Sequence, residues 1–546
     1  MSDKHFNEKV STVHYETAHN SHDADHAPDI KRVTSHGSRG RRPSHDKLPF
    51  TISDHEVKDE DIVEGEDMIR AHDEFTEKEY NRVIRKVDFI IMPMLMLLYG
   101  LQYSDKTSLS SGAVFGLLKD THLDKAQFAN LSTIFYVAYA VAQYPMMFML
   151  QRFPLGRALA VCVIIWGSMV LCLAACNNYS QLLAVRFFLG WFEAVVTPGF
   201  AIFSAAWYLR KEQSLRQGLY YSMNSFFAVI FGVGIYYLAD NAQKKGGIAA
   251  WRVINLFLGG LTVGMGFVFL VFGGTPDEVW WLSKREKRMA KARIVSNATG
   301  GGERQPWKWD QVRECLRDPQ WYCALLFNLL PSIPNGAIST FMNLIFTGLG
   351  FTPLESVLFS LPMYGLCFVG MIISSLIVRY YVWMRFPLGI FWQCTVIVVL
   401  FFLGFADKAG KWTKYGVMVM GVSFSIGTFI LAWPTISVNV AGRTKKSFFG
   451  GSSLIAYCIG NIIGSQVMRP DDAPLYRRGM TICGTVMVVN IVNSFVWWWH
   501  YKRENKKRHA EFLASGLTEE ERDHQNFLAG EMDLTDMENR HFRYLA

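Results

Sequence analysis

Between residues 87 and 501 the chain alternates long apolar runs with short polar breaks. Each run is about 20 residues or longer, the length of helix that crosses the hydrocarbon core of a bilayer. Twelve are marked: 87–116, 127–150, 156–176, 180–208, 214–239, 250–273, 320–347, 354–378, 386–406, 413–440, 447–467 and 479–501. They fall into two groups of six, divided by a polar stretch at 274–319 that contains the basic run Lys284 to Arg293. The pattern predicts an all-α membrane protein of twelve transmembrane helices in two pseudo-symmetric six-helix bundles. Residues 1–80 read as a disordered N-terminal tail, 81–273 as the first bundle, 274–319 as a central loop, 320–501 as the second bundle and 502–546 as a short, unstructured C-terminal tail.

An internal echo supports the division. Residues 152–156 read R-F-P-L-G, and residues 385–389 read R-F-P-L-G again. Each copy joins the second and third span of its own half. Parallel six-helix repeats are a transporter device, with the substrate held between them at mid-membrane.

Composition agrees and narrows the reading. Only 19% of the 546 residues are charged, against about 25% in soluble proteins. The net charge of +8 sits in loops, where positive-inside topology accounts for it without nucleic-acid binding. With both termini cytoplasmic, the inner loops hold Arg82, Arg85, Lys86, Arg152, Arg157, Arg210, Lys211, Arg216 and the 284–293 run. They also hold Arg379, Arg385, Arg443, Lys445, Lys446 and the block Lys502 to Arg508. The outer loops hold roughly a third to a half as many. The nine cysteines show no paired spacing and no Cys-x-x-Cys motif, so no metal or redox site is expected. Residues 1–80 contain no apolar stretch of the kind a cleavable signal needs.

Four charged side chains lie deep in the apolar runs, the others clustering at the edges: Asp105 and Lys106 in the first, Arg186 and Glu193 in the fourth. A charge at bilayer depth costs several kcal/mol or more and is kept only if paired or used. Arg186 and Glu193 are seven residues apart, nearly two helical turns, so both leave one face on the order of 10 Å apart. Asp105 and Lys106 are neighbours and diverge by about 100°. Cross pairing is expected, Asp105 near Arg186 or Lys106 near Glu193. Fixed ion pairs gluing helices are the plain alternative, but small and amide residues make such glue at lower cost. Two cations and two acids suit a negatively charged solute coupled to protons. No His lies deep in a span, so the proton carrier is Asp105 or Glu193. Tyr103, Tyr136, Tyr139, Gln143, Asn224, Asn335 and Trp433 are candidates to complete the site. Asn335 lies in P-S-I-P-N-G-A (331–337), which is expected to break or bend the seventh span beside a cavity. Gly232, Gly234, Gly460 and Gly464 read as close helix packing.

These residues resemble a known group. L-x-Y-x-D-K-x-x-L (101–109), R-F-F-L-G-x-x-E-A-V-V-T-P (186–198), S-I-P-N-G-x-I-S (332–339) and D-L-T-D-M-E-N-x-x-F-R-Y (533–544) are similar to motifs of the fungal allantoate permease family. That family belongs to the anion:cation symporters of the major facilitator superfamily. The resemblance implies the major facilitator fold and uptake of small organic anions with protons by alternating access. It places substrate carboxylate binding on Lys106 and Arg186, and proton carriage on Asp105 and Glu193. Tyr103 matches a site tyrosine of some relatives. Two departures stand out. The loop between spans two and three reads Q-R-F-P-L-G-R, without the acid that usually precedes this pattern. Lys106 stands where many members carry Arg, offering a point charge rather than a bidentate fork.

The sequence therefore predicts a proton-coupled importer of a carboxylate nutrient such as allantoate, ureidosuccinate, nicotinate or another vitamin or amino-acid-like acid. It is expected to be a multi-pass, monomeric protein of the plasma membrane, without cofactor or metal and without enzymatic activity. A proton-driven exporter and a non-transporting nutrient sensor are the alternatives.

Overall fold

The computed structural model describes residues 75–295, 307–422 and 435–545, leaving aside 407, 437, 474–475, 520, 523–524, 527–528 and 530–532. Trp433, most of the N-terminal tail and part of the central loop lie outside the described residues. In chain order the helices are α1 (Glu77–Gly112), α2 (Lys125–Arg152), α3 (Leu155–Leu173), α4 (Tyr179–Glu193), α5 (Val196–Trp207), α6 (Arg210–Lys245) and α7 (Ala250–Phe272). Two shorter helices follow, α8 (Lys284–Val295) and α9 (Trp309–Arg317). The rest are α10 (Pro319–Gly348), α11 (Pro353–Tyr380), α12 (Arg385–Phe405), α13 (Lys411–Val422), α14 (Arg443–Val467) and α15 (Arg477–Ser515).

Among the described residues, nine helical stretches are long and apolar enough to cross a membrane, with α4 and α5 forming one span. Alongside them α1 has 36 residues and α10 has 30, enough for a core about 30 Å thick at about 1.5 Å per residue. The description of α13 stops at Val422, within the run expected to form the tenth span.

The pattern of packing repeats between the halves. In the first, α1 lies on α6 and α7, α3 on α7, and α2 on α4. In the second, α10 lies on α14 and α15, and α12 on α15. Those are the same pairings moved on by six spans. Contacts between the halves obey the same exchange: α2 meets α14, α11 meets α6, and α1 meets α10. Hydrogen bonds join the halves at the end away from the chain termini. Ser132 bonds Thr340 at 3.0 Å, Thr133 bonds Ser465 at 2.9 Å, and Gln466 donates to Asn130 and Thr133 at 3.0 and 2.8 Å. There too Asn343 donates its backbone N–H to Ser110 and its side-chain amide to Ser111, both at 3.1 Å.

Local chemistry sets several boundaries. Asp124 with Gln127, and Thr352 with Glu355, form capping boxes that start α2 and α11, each satisfying two otherwise orphaned N–H groups. Asn178 caps α4 by accepting from the Gln181 N–H at 3.0 Å. The fourth run was expected to be one helix, but it is interrupted at Ala194 and Val195. Pro198 explains the interruption, because it has no N–H for the Ala194 carbonyl and its ring crowds that group. The seventh run, where a break or bend was expected, is not broken: α10 stays helical through Pro331 and Pro334. Its neighbour α14 supports it closely. A Cβ at Gly460 would strike the backbone of Leu329, one at Gly464 the backbone of Ile333, and one at Gly336 the backbone of Asn461. Gly232 packs as tightly on Leu361, whereas a Cβ at Gly234 would make only ordinary contact with Phe257 at 3.7 Å.

The C-terminal segment also departs from expectation, because it is docked. The Lys445 ammonium is fully buried and lies within 2.8–2.9 Å of Glu314, Asp318 and Asp536. Asn439 and Asn505 each exchange two hydrogen bonds with the backbone of Leu545 and Tyr544. The Tyr544 ring stacks on Tyr501 at 4.8 Å. Aromatic stacking and a buried cation were not visible in a stretch whose composition alone reads as solvated. In the first half α8 does similar work after its sixth span: Glu286 pairs with Lys86 at 3.1 Å and Arg293 pairs with Glu212.

Candidate functional site

The site is built where α1, α2 and α4 meet inside the first half. Lys106 reaches from α1 across to Glu193 on the last turn of α4, with Nζ 2.9 Å from Oε1. Glu193 is 0% exposed and Arg186, two turns earlier on the same helix, is 4% exposed. The Lys106–Glu193 contact is a buried ion pair, and a carboxylate's two oxygens can accept more than one such partner supplies. The Lys106 ammonium also lies over the rings of Tyr139 at 5.4 Å and Phe135 at 5.9 Å, a cation–π setting that suits a cation away from water.

Asp105 turns the other way, as the 100° step between neighbours requires. Its Oδ2 accepts from the Trp166 indole N–H on α3 at 3.1 Å, while Oδ1 has no partner. Asp105 and Glu193 are the acids whose charges act on Arg186, and the Arg186 Nε has no hydrogen-bond partner. The side chain of Gln143 adds further buried polar atoms without partners. Buried polar groups are nearly always satisfied. So many unsatisfied donors and acceptors in one place fit a polar ligand or water.

The other expected residues surround this core unequally. Tyr139 bonds Thr197 at 3.2 Å. Tyr136 meets Tyr457 of α14 edge-on at 6.2 Å, and Tyr103 meets Tyr364 of α11 at 5.8 Å. These tyrosines lie where the two halves face each other. Asn224 on α6 has a buried Oδ1 without a partner. Asn335 donates to Asn461 at 2.9 Å, so its amide is engaged in joining α10 to α14. Trp433 lies outside the described residues.

Sequence reasoning passed over Gln102, Trp166, Thr197 and Tyr457. Trp166 carried a usable signal: a tryptophan in mid-span, away from the interfacial belts where it usually sits. Glu278, beyond the sixth span, accepts the Gly156 backbone N–H at 2.9 Å. Among the described residues no cluster of His, Cys, Asp and Glu has the grouping to hold a metal ion.

Comparison with known proteins agrees with this arrangement. Residues 95–465 match the family model of the Major Facilitator Superfamily. The allantoate permease of Saccharomyces cerevisiae is 31% identical over 86% of this chain and 87% of its own length. An uncharacterized transporter of Schizosaccharomyces pombe is 34% identical over 87% of this chain and 89% of its own length. Among solved structures, a D-xylose-proton symporter aligns with a TM-score of 0.57 at 12% identity, over 75% of this chain and 97% of that one. A bacterial homologue of the human lysosomal transporter Spinster, inward-facing and occupied, aligns at 0.56 and 14% identity, over 76% of this chain and 97% of that one. With two packed halves of matching helix order around buried charges, and with these relatives, the chain belongs to the major facilitator superfamily and is a transporter akin to the fungal allantoate permeases.

Proposed function

We propose that the protein imports a small organic anion together with protons, by alternating access, with Lys106 and Arg186 binding the anion and Glu193 and Asp105 exchanging protons. The observation that carries this reading is the buried Lys106–Glu193 pair, whose acid has acceptor capacity to spare, beside an Arg186 with an unused donor. An arriving carboxylate competes with Glu193 for Lys106. As the cation is drawn away, Glu193 loses the charge that kept it ionised, and its affinity for a proton rises. Substrate binding and proton uptake are thereby linked. The named function of the yeast relative, an allantoate permease, supports a carboxylate substrate of that size. The name of the D-xylose-proton symporter supports proton coupling on this fold.

The basic loops favour a cytoplasmic location for both termini, and the plasma membrane is the proposed address. The hydrogen bonds between the halves then close the outer side, with the first-half charges reached from the cytoplasm. Asn224, Tyr103, Tyr136 and Tyr139 complete the chamber, and a single copy of the chain suffices for transport.

The test is uptake of labelled allantoate, ureidosuccinate and nicotinate by cells expressing the protein, at two external pH values. Accumulation that rises as external pH falls is expected, and Lys106→Ala and Arg186→Ala should abolish it when uptake is counted per copy at the cell surface. Glu193→Gln should keep exchange of bound solute while losing accumulation against a gradient. Efflux driven by the same proton gradient would show an exporter. Normal uptake by both cation variants would remove them from the site.

A further inference from the structure

A cavity of about 20 Å³ lies between the halves. Its walls come from α1 and α6 of the first half and from α10 and α11 of the second. Ser104 and Thr107 of α1, Asn343 of α10, and Ser360 and Tyr364 of α11 give it a polar lining, and no lining residue carries a charge. Asn343 also holds the seam at the end away from the chain termini, through its bonds to Ser110 and Ser111. Ser104 is 2% exposed and Asn343 5%, and neither Ser104 Oγ nor Asn343 Oδ1 has a hydrogen-bond partner.

The hydrogen bonds already made inside the walls decide what the cavity can take. Thr107 donates its hydroxyl proton to the Ser104 carbonyl at 3.1 Å, and Ser360 donates to the Val357 carbonyl at 2.7 Å. Both hydroxyls are left with lone pairs only, and Asn343 Oδ1 can only accept. The hydroxyls of Ser104, Ser110 and Tyr364 can turn either way. Three committed acceptors in a buried, uncharged space select for a neutral hydrogen-bond donor. The volume suits one group the size of a water molecule. The end of a primary amide meets both demands, because its NH2 is that size and brings two N–H donors. A methyl group in the same place would leave buried acceptors unsatisfied, which costs affinity.

The cavity adjoins the charged site. Ser104 and Thr107 flank Lys106 on α1, within about 3 Å of it along the helix axis, while the Lys106 side chain leaves on a face about 100° from that of Thr107. Tyr364 lines the cavity and meets Tyr103 edge-on at 5.8 Å, and Tyr457 acts on both Tyr103 and Lys106. We propose that Ser104, Thr107, Asn343 and Ser360 form a second subsite, which receives the neutral, donor-bearing end of the anion whose carboxylate Lys106 and Arg186 hold. The proposal rests on the anion reading above and adds the residues that choose among acids. It also gives the second half a part in recognition. A group held by Ser104 and Thr107 on one side and by Asn343 and Ser360 on the other bridges the seam that must open.

The test uses acids that differ in one group, with binding to the full chain in neutral detergent read from the rise of melting temperature with ligand concentration. Succinamate and levulinate share a carboxylate and spacer and end in an amide NH2 and a methyl; the monoamide of glutarate and its methyl ketone counterpart are the next longer pair. At the length that fits, the amide should bind about tenfold tighter than the ketone. Ser104→Ala removes a hydroxyl that bonds to nothing in the fold and should cut the preference severalfold, and Asn343→Leu should erase it. Ser222→Ala, on α6 outside the cavity lining, should preserve it. Ser104→Ala/Ser360→Ala takes the place of Asn343→Leu if that variant does not fold. A preference missing from wild type at both lengths, or one that survives these variants, would overturn the proposal. Equal binding of amide and ketone that Lys106→Ala abolishes would remove the subsite and leave the anion site standing. No binding of either acid, or binding that Lys106→Ala and Arg186→Ala both leave intact, would remove the anion site and the subsite with it.

Discussion

Replacing Lys106 by Met should destabilise the protein in a pH-dependent way that Glu193→Gln cancels. Lys106 and Glu193 are 2.9 Å apart and Glu193 is fully buried. At an effective dielectric of about 20, Coulomb's law gives roughly 6 kcal/mol for such a pair, and removing one partner of a buried pair typically costs about 3–5 kcal/mol. The loss has a ceiling, because the abandoned carboxylate can take up a proton instead. From an ordinary glutamate value of about 4.3, protonation at about pH 7.5 costs about 4.4 kcal/mol, and at about pH 5 only about 1 kcal/mol. The sign follows from linkage. The folded variant holds Glu193 neutral while the unfolded chain ionises, so the penalty is greatest at high pH and fades as pH approaches the unfolded value. Lys106→Met should therefore melt well below Lys106→Met/Glu193→Gln near pH 7.5, and the gap should shrink about fourfold near pH 5. Melting curves of the full chain in detergent at the two pH values measure it. A gap that stays the same at both, or that is absent at both, would mean that Glu193 is hydrated and that the buried-pair reasoning is wrong.

Two further substitutions check the packing. Gly464→Ala puts a methyl against the Ile333 backbone and should cost about 1–3 kcal/mol by overpacking, seen as a lower melting temperature, while Gly234→Ala, with its nearest contact at 3.7 Å, should leave it unchanged. Lys445→Ala strips the shared cation from Glu314, Asp318 and Asp536 and should release the C-terminal segment. Burial holds the Cys315 thiol of α9 up at about 12, so maleimide should spare it in wild type near pH 8 and label it in the variant, as peptide mass spectrometry can show.

What could be read from the sequence follows from which forces act locally. Apolar run length revealed the spans because a bilayer demands it residue by residue. The four charges stood out for the same reason. The side chains that complete the site needed the fold. Nothing in the neighbourhood of Trp166 says that its indole meets Asp105, 61 positions earlier. Proline was the least reliable guide. Pro198 ends α4 where no break was expected, whereas Pro331 and Pro334 pass through an unbroken α10. The difference lies in the partner helix: Gly460 and Gly464 let α14 lie directly on that stretch of α10, and no local pattern announces this. The docked tail escaped notice for the same reason, since its acids find their cation in Lys445, about 90 residues away in the chain.

The placement of charge bears on how the halves can move. All four charges, Asp105, Lys106, Arg186 and Glu193, belong to the first half, on α1 and α4. The second half faces them with Tyr364 and Tyr457. The hydrogen bonds that close the far end, such as Ser132 to Thr340 and Asn343 to Ser111, are between neutral groups. Neutral hydrogen bonds contribute only about 0.5–1.5 kcal/mol each, so the six described there sum to a few kcal/mol. Ion pairs across the same gap would each have to be desolvated or broken at several times that cost. A small ligand that touches both halves can supply a difference of a few kcal/mol. With the charges kept inside one half and neutral groups between the halves, the ionic chemistry is separated from the moving seam. On the proposed mechanism, an anion would exchange with Glu193 for Lys106 without the halves having to part to allow it.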